Sequence, residues 1–232
     1  MKHAILSSKA PKSCIETLRS LGYRTLTLPP FKKLSEPVNT HADMLFFSYN
    51  SIIVTHRDYY ETARCVFDAL CSEHGIRLVL ADDDIQEEYP HDIAYNAIML
   101  DGTVFSNTPY TSKEILHLSS RSVKVKQGYT ACSTLALNDN RVITADSSLA
   151  REYERDGIRV VLISNGSISL PPYDCGFIGG ASGVDGDTVY FTGSIDSHKN
   201  ADIIKSAITS VGMKYISLSN DPLYDIGGIR FF

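Results

Sequence analysis

Short apolar runs alternate along this chain with polar turns and amphipathic stretches, and their order repeats. "NAIMLDGTVFSNTPYTSKEILHLSSRSVKV" (Asn96 to Val125) and "STLALNDNRVITADSSLAREYERDGIRVVLI" (Ser133 to Ile163) follow one plan. Each opens with an apolar run. Each turns at Asp101-Gly102 or at Asn138-Asp139-Asn140 and enters a second apolar run. A Ser/Thr-rich helix start, a short helix and a last β-rich run complete the unit.

The ends of the helical patterns locate further copies. Gly22, Gly75, Gly157 and Gly212 each close a helical stretch, and a β-rich run follows each one. Glycine suits this place because the residue after a helix often takes positive φ. The gap from Gly75 to Gly157 is 82 residues against 53 and 55 for the others, which leaves room for two shorter copies in place of one. The added copy has no such glycine, and "SKEILHLSS" passes into "SVKVK" through Ser119-Ser120. Helix starts agree with the spacing. Thr55 is placed to cap the helix that follows it, Thr111 with Glu114 reads as a capping box, and Asp146 to Ser148 read as a cap. Pro11 suits a first helical turn.

The unit is strand, strand, helix, strand, and it occurs five times. A unit this small does not bury a core by itself, and closing five into a ring covers every sheet and leaves few free edges. The expected fold is therefore α/β: a five-fold pseudo-symmetric propeller of ββαβ units, one domain over residues 1–232. The last run, "GGIRFF", is expected to pair with the start of the chain. A doubly wound sheet is the competing architecture, with one switch point and no closing C-terminal strand. "GGASG" at Gly179 lacks the dinucleotide fingerprint and no helical pattern follows it.

Composition narrows the function classes. A formal charge of −5 over 232 residues argues against a broad basic face for nucleic acid. No apolar run approaches the roughly 20 residues of a membrane span. "MKHAILSSKAPKS" has too short an apolar segment for a secretory signal, so a cytoplasmic protein is expected. Five cysteines without a CxxC pair argue against a disulfide framework or a zinc ribbon.

The candidate chemistry lies where one unit passes into the next. The junctions read "HADMLFF", "HDIAYNAIML", "YTACSTLAL", "YDCGFIGGASG" and "YDIGGIRFF". If they face one axis, they bring together His41, Asp43, His91, Asp92, Asn96, Cys132, Asp174, Cys175, Asp225 and Arg230. Several aspartates in one cavity suit a small cationic guanidine or amine, because carboxylates pair with guanidinium in bidentate fashion. A junction aspartate also has a purely structural use, accepting backbone N–H groups in a turn. Cys132 and Cys175 are the candidate nucleophiles, and a thiolate needs a cationic neighbour at neutral pH. His91 is the first choice for that neighbour and for acid/base work, with Asp92 beside it. Asp43, Asn96, Asp174, Cys175, Asp225 and Arg230 are the expected binding residues. His41-x-Asp43 with His91 and Asp92 matches no strong metal motif, and neither metal nor cofactor is expected.

"VKQGYTACSTLAL", "NRVITADSSLA", "ISNGSISLPPYDCGFIGGASG" and "YDIGGIRFF" resemble an uncharacterised bacterial family with the guanidine-modifying-enzyme, or pentein, fold. The resemblance covers essentially the whole chain. It implies kinship with arginine deiminase, agmatine deiminase and dimethylarginine dimethylaminohydrolase, and with the ribosome anti-association factor. "ADMLFFSYNSIIV" is similar to a dimethylaminohydrolase stretch that opens on Pro-Asp and ends on an acidic pair. Asp43 matches the first Asp, while Ser48 and Tyr49 stand in the place of the pair. Gln127 stands near the expected place of the catalytic histidine. In "GGIRFF", Arg230 and Phe231 stand where agmatine deiminases carry His and the nucleophilic Cys. The resemblance thus implies the fold and a polar axis, while these departures argue against the usual thiolate reaction. Two functions follow: a divergent hydrolase of guanidino or amine compounds, or a binding module without catalysis.

Overall fold

A computed structural model describes residues 1–232. The first unit holds β1 (His3–Ser7), α1 (Lys12–Ser20) and β2 (Arg24–Leu28). The second opens with a single turn, α2 (Ala42–Leu45), and continues through β3 (Phe46–Tyr49), β4 (Ile52–His56), α3 (Arg57–Thr62), α4 (Arg64–His74) and β5 (Arg77–Ala81). The third holds β6 (Ile98–Leu100), β7 (Thr103–Ser106), α5 (Lys113–Leu116) and β8 (Arg121–Lys124). The fourth holds β9 (Thr134–Leu137), β10 (Arg141–Thr144), α6 (Ser147–Arg155) and β11 (Arg159–Leu162). The fifth holds β12 (Ser182–Asp185), β13 (Thr188–Phe191), α7 (Ala201–Thr209) and β14 (Lys214–Ser217), and β15 (Arg230–Phe231) ends the chain.

These strands form five three-stranded sheets. In four of them a hairpin pairs the first two strands antiparallel, and a helical crossover brings the third back parallel to the second. The hairpins turn at left-handed residues: Asn50, Asp101-Gly102, Asp139-Asn140 and Gly186. The first sheet is completed from the other end of the chain. Strand β15 lies antiparallel to β1, with Ala4 opposite Phe231 and Ile5 opposite Arg230. His3 N donates to Phe232 O at 2.7 Å and Phe232 N returns to His3 O at 3.0 Å. The tail therefore takes the first-strand place that β3, β6, β9 and β12 fill in the other sheets. Strand β12 also lies against β9 and β15, so neighbouring sheets touch through their first strands.

Helices cover the sheets with residues one turn apart. Cys14 and Leu18 of α1, Val66, Phe67 and Leu70 of α4, Leu149 and Tyr153 of α6, and Ile204 and Ile208 of α7 are buried. Each large apolar side chain buried this way contributes about 1.5–3 kcal/mol. Gly22, Gly75, Gly157 and Gly212 all have positive φ, as the helix-stop reading requires. Asp146 caps α6, its carboxylate accepting from Ser148 N and Leu149 N.

Two expected caps are corrected. His56, not Thr55, caps the helix after β4, its Nδ1 accepting from Asp58 N at 3.0 Å. Thr111 and Glu114 form no capping box. Helix α5 starts after Ser112 without a side-chain cap, and Thr111 donates to Asn107 O instead.

Candidate functional site

The segments that lead into the first strands pass two cavities in succession. Val38, His41 and Met44 before β3, Tyr129 and Cys132 before β9, Cys175 and Phe177 before β12, and Asp225 before β15 line a cavity of about 140 Å³. Further along the same segments, residues of all five first strands line a second cavity of about 280 Å³. Asp43, Asn96 and Cys132 form a buried cluster, with Cys132 on the wall of the first cavity and its neighbour Ala131 on that of the second.

Asn96 ties this cluster together. Its side-chain oxygen accepts from Ala131 N at 2.8 Å and from Cys132 N at 3.3 Å. Its amide donates to Cys132 Sγ and to Met44 Sδ, each at 3.2 Å. The Cys132 thiol donates to Asp43 Oδ2 at 2.7 Å. Oxygen Oδ1 of Asp43 is buried without a partner. Burial raises the Asp43 carboxyl to about 7, against the pull of Arg230 and with the push of Asp225. Burial also holds the Cys132 thiol well above its usual range, and the charges of Asp43 and Asp225 add to that. Such a sulfur stays protonated at neutral pH.

Asp225 forms the other half of the site. It is fully buried, and Phe177 N and Gly227 N donate to its two oxygens at 2.8 and 2.9 Å. Burial raises this carboxyl to about 6, and the two backbone bonds limit the rise. The turn around it needs glycine in "GGASG". A Cβ on Gly180 would collide with the Asp225 carboxyl group. Gly227 has φ +74° and lies against His41. His41 Nδ1 stands 3.8 Å from Asp225 Oδ1, but burial and Lys9 lower the imidazole to about 3. The contact is therefore between a neutral ring and a carboxyl group, not an ion pair.

The structure brings together Asp43, Asn96, Cys132, Cys175 and Asp225, and it parts His91 and Asp174 from them. His91 is exposed and packs edge to face on Tyr110, so it gives the Cys132 thiol no cationic neighbour. Asp174 is exposed beside the half-buried Cys175 and does not line the cavity. Asp92 is buried, accepts from Tyr129 OH at 2.8 Å and so positions a cavity-wall ring. Gln127, near the expected place of a catalytic histidine, donates to Asp146 and accepts from Tyr129 N. Arg230 lines the second cavity, together with Ser48, Tyr49 and Phe231. The aromatic wall of Tyr129, Tyr173 and Phe177 is absent from the sequence reading. Its only signal is an aromatic residue within or next to each of two junctions.

Comparisons agree with this architecture. A crystal structure of a dimethylarginine dimethylaminohydrolase adduct with 4-chloro-2-hydroxymethylpyridine matches with a TM-score of 0.58 at 10% identity, covering 94% of this chain and 92% of that one. A Pseudomonas aeruginosa dimethylarginine dimethylaminohydrolase mutant, complexed with citrulline, matches at 0.57 and 12%, covering 94% and 91%. Agmatine deiminase of C. jejuni matches at 0.54 and 11%, covering 94% and 86%. At such identities the likeness speaks for the fold alone, and the chain has the pentein fold of these enzymes. No curated protein matches it by sequence. One family's sequence profile spans residues 5–230, and the chain belongs to that family, a family of unknown function (DUF6873).

Proposed function

We propose that the five units close into a five-fold α/β propeller, and that its axial aspartate cavity binds a small organic cation, a guanidinium or ammonium group on a short apolar body. A cavity lined by the first strands of all five sheets supports the closed ring. The carboxyl group of Asp225 on the wall of the first cavity carries the ligand reading. It is fully buried, Asp43 lies behind it, and no Lys or Arg lines the same space. A cation there gains a charge-assisted partner in surroundings that water does not screen. Tyr129, Tyr173 and Phe177 offer π faces and apolar area to the rest of the ligand.

Binding without amidino hydrolysis fits the site best. Cys132 is a hydrogen-bond donor to a carboxylate, the reverse of a thiolate paired with a cation. No histidine bonds its sulfur. The chain is thus closer in use to a binding module than to a deiminase.

Thermal shift and calorimetry with methylguanidine, agmatine and putrescine test this. The wild type is expected to bind at least one, and Asp225→Asn to bind it at least ten-fold more weakly. Binding near pH 6.5 is expected to release protons, because the cation favours the ionised carboxyl groups. The measured enthalpy then varies with the ionisation enthalpy of the buffer. Equal binding by wild type and Asp225→Asn, or ammonia or urea release that Cys132→Ala abolishes, overturns the reading.

A further inference from the structure

We propose that the second cavity is a binding site for a small monocarboxylate, held by Arg230 and oriented by Tyr49. This inference stands on residues other than those of the cation reading and survives its failure. The cavity holds about 280 Å³, mostly against apolar side chains such as Met99, Leu135 and Val184. Arg230 is the one charged residue on its wall, and none of the lining residues is acidic.

The polar groups on the wall divide into two sets. Thr134 and Ser182 donate to Thr130 O and Ile178 O, and Tyr95 donates to Asp83. These are engaged with the protein. The Arg230 guanidinium and the Tyr49 hydroxyl bond to no other side chain or backbone group, and both residues line the same space. They are donors without acceptors. A group that satisfies them is an acceptor, and a guanidinium carries an opposing negative charge best. Asp43 is the one acid whose carboxyl responds to the charge of Arg230, but the two form no ion pair and Asp43 donates nothing to neutralise it within the cavity.

The backbone makes room for the guanidinium. Gly228 has φ +78°, and a Cβ there would lie 2.8 Å from Arg230 Nη1. The four positions that the resemblance assigns to an acidic pair, a histidine and a nucleophile are Ser48, Tyr49, Arg230 and Phe231, and all line this cavity. Their charge is reversed in this chain, from anionic to cationic. One guanidinium balances one negative charge, and an apolar wall accepts an apolar body. Both features favour a monocarboxylate over phosphate, whose second charge would stay unpaired.

Calorimetry with sodium propionate, sodium benzoate and inorganic phosphate, at ionic strength fixed by sodium chloride, tests the assignment. A carboxylate is expected to bind the wild type in preference to phosphate. Arg230→Gln is expected to weaken that binding at least ten-fold. Tyr49→Phe removes one donor without touching charge, and a several-fold loss is expected from it. That variant decides the matter if Arg230→Gln does not fold by circular dichroism. Absence of carboxylate binding, tighter binding of phosphate, or equal affinity in wild type and whichever of these two variants is folded overturns the proposal.

Discussion

At the scale of single residues, the site depends on what is missing as much as on what is present. Gly180 has no Cβ because the Asp225 carboxyl group occupies that space, and its carbonyl accepts from Ile226 N and Gly228 N. Gly180→Ala is expected to displace Asp225 and lower stability by about 1–3 kcal/mol, as overpacking does. Urea denaturation measures the loss, and the same variant is expected to lose its response to methylguanidine. An unchanged midpoint would show that the turn has slack. Much of this cluster was legible in sequence. Asp43, Asn96, Cys132, Cys175 and Asp225 stand in recurring junctions, and the structure gathers them. His91 and Asp174 follow the same rule and lie outside. The junctions differ in length, and Asp174 stands further from β12 than Asp225 does from β15. Side-chain direction depends on that path, which residue type alone does not reveal. The aromatic wall was hidden because Tyr and Phe beside an apolar run read equally as core.

Elements were more legible than side chains because their punctuation is local. Glycine with positive φ ends α4, α6 and α7, and the left-handed hairpin residues separate the strands. Caps were harder, since they turn on one residue. Strand β4 runs through His56, which pairs with Ala81, so the cap moves from Thr55 to His56. Asp146 held its place, and its role extends beyond the helix. Burial pushes its carboxyl up, but bonds from Leu149 N, Ser148 and Gln127 outweigh that and hold it below its usual value. Gln127 in turn accepts from Tyr129 N. Asp146→Ala is expected to cost about 1 kcal/mol from the lost cap. It is also expected to weaken ligand binding through Tyr129, whereas Asp146→Asn keeps an acceptor and most of both. Unfolding midpoints and calorimetry on the two variants separate these effects. Equal behaviour of Asp146→Ala and wild type would remove Asp146 from both roles.

Across the whole molecule, the tail strand was legible because "GGIRFF" is a first strand without a hairpin partner, and β1 is a second strand lacking its first. Not legible was the separation of charge along the proposed axis, with carboxyl groups at one level and a guanidinium at the next. That separation leaves a signature in stability against pH. Asp43 and Asp225 have raised folded values, so their protonated forms favour the fold, and that stability is lost progressively from about pH 4 and is gone once the pH has risen through about 6 to 7. His3, His41, His56 and His198 have lowered values, mainly through burial. Their contribution is present above the unfolded histidine value of about 6.5 and is lost as pH falls below it. The two trends oppose each other, and four imidazoles outweigh two carboxyl groups on the acid side. Stability is therefore expected to rise from pH 5 to about pH 7 and to level off above it, where all six groups have lost their protons in both states. Urea unfolding from pH 5 to pH 8.5 measures the profile. Asp43→Asn is expected to steepen the rise between pH 5 and pH 7, because an amide takes up no proton to offset the imidazoles. A rise equally steep in Asp43→Asn would place the titrating group elsewhere and leave Asp43 ionised throughout, a buried charge that Arg230 alone would have to balance.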